Sequence, residues 1–156
     1  MSKRLLCVAA ALAACKTSPA RPAAQVVFVC EHGAAKSVVA AAYFNTLAAA
    51  QRLDVKAVAR GADQQQSPSV SAVKGLRADG LAPNLEAPRL ITASDMRSSV
   101  EVIAFDCEEP AMKAPGGMDA CWNDVPAMSD GYDRARDGIR VHVAAMLEQM
   151  AKDTAR

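Results

Sequence analysis

Histidine, aromatic side chains and an excess of charge of either sign are all scarce in this 156-residue chain. Its two histidines, His32 and His142, stand far apart, and no CxxC or HExxH spacing occurs, which argues against a dedicated metal site. Lys and Arg total 18 against 17 Asp and Glu. Setting Lys3 and Arg4 aside with the leader described below keeps the balance near neutral. No basic cluster is interleaved with aromatics, so a nucleic-acid-binding stripe is excluded. The apolar run Leu5 to Ala14 (LLCVAAALAA) is too short to span a bilayer as a helix, which takes about 20 residues.

What that run does fit is the apolar region of a secretory signal, placed behind the basic leader Met1-Ser2-Lys3-Arg4. Leu12-Ala13-Ala14-Cys15 resembles the lipobox of bacterial lipoproteins, in which the cysteine becomes a lipidated amino terminus. The expectation is a lipoprotein-type signal over residues 1–15, with a plain secretory signal cleaved nearby as its competitor. A Pro-containing tether follows over 16–24. The mature domain is then 25–156, a size suited to one compact domain. On this reading the protein is exported, facing the periplasm or the cell exterior, and touches a membrane only through its lipid.

The most informative stretch is Val26 to Ala50, VVFVCEHGAAKSVVAAAYFNTLAAA. Val26 to Val29 are apolar, largely β-branched and uninterrupted by charge, as in a strand buried on both faces of a parallel sheet. Beyond Ser37 the residues Val38, Val39, Ala42, Tyr43, Leu47 and Ala50 recur near helical spacing. Cys30 and the loop Glu31-His32-Gly33-Ala34-Ala35 therefore lie between the carboxyl end of a strand and the amino end of a helix. Unpaired amides and the positive end of the helix dipole stabilise an oxyanion or a thiolate there. A cysteine so placed is a candidate nucleophile. Gly33, Ala34 and Ala35 let the backbone close around a tetrahedral anion, Lys36 adds a cation, and the Ser37 hydroxyl can donate to sulfur. A buried strand-end cysteine before an ordinary helix start is the structural alternative.

VVFVCEHGAAKS resembles the phosphate-binding loop of the low-molecular-weight protein tyrosine phosphatases and the thioredoxin-coupled arsenate reductases, whose pattern is Cys, five residues, Arg, then Ser or Thr. Cys30 falls on the nucleophile and Ser37 on the Ser/Thr. The family's Arg is Lys36 here, and its loop Asn is Gly33. Arg grips a tetrahedral oxyanion through a planar fork where Lys is a flexible point charge, so anion binding should be weaker and less oriented.

Downstream, Val55 to Ala59 reads as a second strand, and the polar stretch Gly61 to Ser69 as a loop that gives way to a helix near Pro68. Val70, Val73, Leu76 and Arg77 can share a face of that helix, which Gly80 would close. A short helix is expected after Thr92 or Ser94, and Val100 to Phe105 as a third strand, which puts Asp106-Cys107 at the ligand-binding edge of the sheet. Ser129 to Lys152 reads as a final helix burying Tyr132, Ala135, Ile139, Val143, Met146, Leu147 and Met150, with Ser129 as its cap. His142 belongs to this helix as a surface or packing residue. The alternation implies an α/β sandwich with a parallel sheet. The family resemblance implies a three-layer sandwich whose four-stranded parallel sheet runs in the order 2-1-3-4 with helices on both faces.

The resemblance also implies the chemistry. Cys30 attacks phosphorus, the amides of residues 31–35 with Lys36 hold the oxygens, and Ser37 supports the thiolate. Trp122-Asn123-Asp124-Val125-Pro126 is similar to the loop that carries the family's general acid, which makes Asp124 the candidate, with Asp130 and Asp133 as substitutes. Cys107 and Cys121 allow three readings: a structural disulfide, natural in an exported protein; resolving thiols of an arsenate reductase; or unpaired packing residues. The implied activity is hydrolysis of a phosphomonoester through a cysteinyl-phosphate, with no metal or organic cofactor. Its partner is a phosphorylated small molecule or phosphoprotein, or an inorganic oxyanion. With aromatics at 4%, the sequence offers no clear platform for stacking a phosphotyrosine ring. Arsenate reduction and non-catalytic oxyanion binding are the alternatives.

Overall fold

The apolar run Val26 to Val29 forms the centre of β1 (Ala24–Cys30), and its four side chains are fully buried. The computed structural model describes residues 23–63, 65–108, 112 and 117–154. The expected signal over 1–15 with Cys15, and the tether except for its last two residues, lie outside the described residues. Strand β1 begins at Ala24, one residue ahead of the expected domain boundary.

After β1 come α1 (Lys36–Ala50), β2 (Val55–Gly61), α2 (Val70–Ala78), α3 (Ala93–Ser98), β3 (Glu101–Phe105), β4 (Ala120–Trp122), a 3₁₀ turn (Met128–Asp130) and α4 (Tyr132–Thr154). The four strands are parallel, in the order β2-β1-β3-β4. This is the arrangement that the family resemblance implied. Side chains alternate across a strand, so Val26, Phe28 and Cys30 join the core that includes α1, α2 and α4, while Val27 and Val29 join a smaller core with Val102, Ala104 and Met112. Met96 of α3 packs against that second core.

Three local features depart from the sequence reading. The face of α2 that is buried carries Ala72 and Leu76, one turn apart, whereas Val70 is 68% exposed. Val70 precedes Ala72 by two residues, roughly 200° around the helix, and points away from the core. Strand β4 is three residues long and too short for alternation to reveal it. Ser129 lies in the 3₁₀ turn before α4. The final helix otherwise buries the expected stripe, with Ala135, Ile139, Val143 and Leu147 inside and Tyr132, Met146 and Met150 partly covered.

Polar side chains fix the helices. Asp79, at the end of α2, accepts hydrogen bonds from the Tyr43 and Tyr132 hydroxyls at 2.6 Å each and from Arg136 at 3.1 Å, tying α1, α2 and α4 together. Burial and the Asp79 carboxylate push Tyr43 up to about 12. Burial also pushes Asp79 upward, but the two phenols and Arg136 hold it below the usual carboxylate range. On the outer edge of β2, the Asn45 side-chain amide donates to the Ala57 carbonyl at 2.9 Å and its oxygen accepts from the Ala57 amide at 2.7 Å.

A disulfide joins Cys107, just past β3, to Cys121 in β4, with the two Cα atoms 6.2 Å apart. Of the three readings of these cysteines, the fold takes the disulfide. Replacing both with alanine is expected to lower unfolding free energy by about 3 kcal/mol, the usual effect of opening a loop of this size. Urea denaturation of the two proteins side by side checks this, and an unchanged midpoint would contradict it.

Candidate active site

Strands β1 and β3 are neighbours whose connections leave in opposite directions, the first to β2 and the second to β4. Such a switch point opens a crevice beyond the carboxyl ends of the strands. The loop 31–35 and the segment beginning at Asp106 border it. Cys30 ends β1 with 7% of its surface exposed and is the free cysteine among the described residues. Its Sγ lies 3.1 Å from the Oγ of the fully buried Ser37.

The loop's carbonyls are turned outward. Cys30 O accepts from the amides of Gly33 and Ala62, Glu31 O from Asp63, and Ala34 O from Ser69. By contrast, the amides of Glu31, His32, Ala34 and Ala35 have no hydrogen-bond partner among the described residues. Helix α1 starts at once after them, with no side-chain cap and no acidic residue in its first turn. Its dipole and unpaired amides are thus left for an anion.

Two glycines make this backbone path possible. Gly33 has φ +64°, in the left-handed region that glycine adopts without strain. A Cβ on Gly33 would fall 2.6 Å from Gly61 N, and one on Gly61 would fall 2.5 Å from Asp63 O and 2.8 Å from Gly33 N. All of these are backbone atoms, so relief requires the loop itself to move. Gly61→Ala is expected to cost about 2 kcal/mol of stability and to weaken phosphate binding; thermal unfolding and calorimetric titration of the variant are the check.

A cavity of 850 Å³ opens over the loop. Cys30, Glu31, His32, Ala34, Ala35 and Lys36 line one side, and Asp106 and the stretch from Val125 to Ser129 line the other. Gly33 and Ser37 do not line it: the first packs on Gly61, and the second sits behind Cys30. The Lys36 side chain is 8% exposed, and its Nζ donates to both Asp106 carboxylate oxygens, at 2.9 and 2.8 Å, and to the Val125 carbonyl at 2.8 Å.

Asp124 does not line this cavity. Its carboxylate oxygens lie 2.9 and 3.0 Å from Nε2 of His142, on α4, and its side chain is 73% exposed. The hydrogen bond from His142 holds Asp124 below the usual carboxylate range. The imidazole in turn stacks on Trp122, with ring centres 4.6 Å apart and planes 16° apart. His142 is therefore both a packing residue and the group that turns Asp124 outward. Asp130 and Asp133 do not line the cavity either, and Asp133 is bonded to Arg136 at 2.7 Å.

Asp106 was not singled out by the sequence reading, although its position at the carboxyl edge of the sheet was legible. Among the described residues no group of three or more His, Cys, Asp or Glu side chains is placed to hold a metal, and no helix is long and apolar enough to cross a membrane.

No family model and no curated protein matches the chain. Solved structures do. YfkJ from Bacillus subtilis is 20% identical with a TM-score of 0.71, over 84% of this chain and 96% of that one. The thioredoxin-dependent arsenate reductase Cg_ArsC1' of Corynebacterium glutamicum is 21% identical with a TM-score of 0.71, over 86% of this chain but only 65% of its own. A low-molecular-weight phosphotyrosine phosphatase of Vibrio cholerae O395 is 17% identical with a TM-score of 0.70, over 83% of this chain and 98% of that one. The chain thus has the fold shared by low-molecular-weight protein tyrosine phosphatases and thioredoxin-dependent arsenate reductases.

Proposed function

We propose that this protein is a phosphatase-like enzyme that hydrolyses a phosphomonoester through a cysteinyl-phosphate. The observation that carries the reading is the Cys30–Ser37 contact at 3.1 Å beneath a loop that presents the unpaired amides of Glu31, His32, Ala34 and Ala35 at the start of α1. The Cys30 thiolate attacks phosphorus, a sulfur–phosphorus bond forms, and the bond to the leaving oxygen breaks with its electron pair. The unpaired amides of Glu31, His32, Ala34 and Ala35 hold the non-bridging oxygens, and the Ser37 hydroxyl donates to the thiolate. Water then attacks phosphorus, releasing phosphate and restoring Cys30. Asp124 remains the proposed acid, and it serves the leaving oxygen only by parting from His142. Aryl phosphates, whose phenolate leaves with less help from a proton, are the favoured substrates until it does.

The test is hydrolysis of para-nitrophenyl phosphate under reducing conditions, with an acid quench and mass spectrometry to catch phosphate on Cys30. Turnover with a phosphorylated Cys30 is expected; no turnover and no adduct would overturn the phosphatase reading. One observation favours a second reading. The Cys107–Cys121 disulfide lies past β3, beside Asp106 of the cavity wall, and would be the oxidised end of an arsenate-reducing relay. Arsenate-dependent oxidation of a thiol reductant by the protein distinguishes the two. The leader carries a separate proposal, export as a lipoprotein, which incorporation of labelled palmitate and its loss in Cys15→Ser would test.

A further inference from the structure

The ammonium of Lys36 is the buried cation of the cavity wall, and its three protons are all in use. It has three donors, and they meet Oδ1 and Oδ2 of Asp106 and the carbonyl of Val125. An anion arriving over the loop therefore meets a lysine already satisfied and neutralised by an internal carboxylate. The two partners differ in freedom. Lys36 is 8% exposed, at the first position of α1, whereas the Asp106 side chain is 42% exposed and can turn toward water.

The backbone holds Asp106 in this role. Its φ is +54°, a left-handed conformation that few residues adopt readily. The next residue is anchored twice, through its disulfide to Cys121 and through its amide, which donates to Asn123 Oδ1 at 3.0 Å. Both anchors lie on the side of the cavity wall formed by β4 and the segment after it.

From this geometry we infer that Asp106 sets the affinity of the site for an oxyanion, because its carboxylate competes with the bound anion for Lys36. The inference rests on the oxyanion-site reading of the loop. With Asp106 in place, the anion is held chiefly by the neutral loop amides and the α1 dipole, and every further negative charge on it is opposed by the carboxylate at the rim. Lys36 contributes fully only when Asp106 gives up a hydrogen bond. The site thereby holds its oxyanion less tightly than an unopposed Lys36 would allow.

Titrating the parent protein, Asp106→Asn and Asp106→Gly with inorganic phosphate in a calorimeter, at one pH and one salt concentration, tests this. Both replacements suit a residue at positive φ, since asparagine tolerates that region and glycine enters it freely, so the fold has no backbone reason to fail. Each variant is expected to bind phosphate roughly tenfold tighter than the parent, the effect of freeing a charge-assisted donor. Binding that is unchanged or weaker in both variants would overturn the inference and make Asp106 a positioning group for Lys36. Phosphate binding by none of the three proteins would instead overturn the oxyanion-site reading, and the inference with it.

Discussion

Cys30→Ser is expected to reduce hydrolysis of para-nitrophenyl phosphate by more than about 10⁴-fold, the scale on which enzymes lose rate when their nucleophile goes. The replacement is close to isosteric, and Cys30 is buried with its Sγ against Ser37, so the fold should survive it. A hydroxyl at the same place is far less ionised than a thiol, and the helix terminus cannot make up the difference. Phosphate binding should persist, because the loop amides and α1 are untouched. The informative result is therefore the pair: turnover gone, phosphate titration retained. Turnover that persists in Cys30→Ser would move the chemistry to another group and remove Cys30 from the mechanism.

Phe28→Ala is the substitution expected to damage the fold most, by about 3–5 kcal/mol. Phe28 is fully buried at the middle of the central strand, with ring centres 5.8 Å from Phe44, 6.5 Å from Phe105 and 5.5 Å from Trp122. Those rings belong to α1, β3 and β4, so one truncation leaves a cavity bordered by three elements. A domain of this size commonly holds about 5–15 kcal/mol in all, so such a loss would bring a domain at the lower end of that range close to half unfolded. Urea denaturation followed by the emission of the single tryptophan reads the effect, since Trp122 touches the site of mutation. Phe28→Leu should cost far less, and equal losses in the two variants would show that the aromatic cluster is not what holds the sheet.

The parts of the fold legible in the sequence were those written as a local pattern. Val26 to Val29 announces a strand buried on both faces, Thr92 was one of two expected starts of the short helix α3 and is its cap, and the Ile139, Val143, Leu147 spacing marks the inner face of α4. Cys30 and Ser37 were legible for the same reason, since a strand, a short loop and a helix start fix where they lie. What was not legible depends on contacts distant in sequence. The outward turn of Asp124 is made by His142, eighteen residues on, and the neutralisation of Lys36 by Asp106, seventy residues on. Gly33 was legible as a loop glycine, but its backbone-to-backbone packing on Gly61 shows only once β1 and β2 are paired. Strand β4 is specified by its neighbour β3 more than by its own three residues.

The Asn45 amide that spans Ala57 has a bearing on how molecules of this protein meet one another. Strand β2 ends the sheet on one side, and a bare outer strand is an invitation to another chain's strand. Asn45 takes both the donor and the acceptor of Ala57, and four residues on, Gly61 donates to Arg89 O and accepts from Ile91 N. With the strand's rim occupied at both points by groups from its own chain, addition of a foreign strand there would have to break bonds before it could make any. The alanine-rich helix that delivers Asn45 thus shields the sheet edge as well as supplying the amino terminus beneath the proposed oxyanion loop.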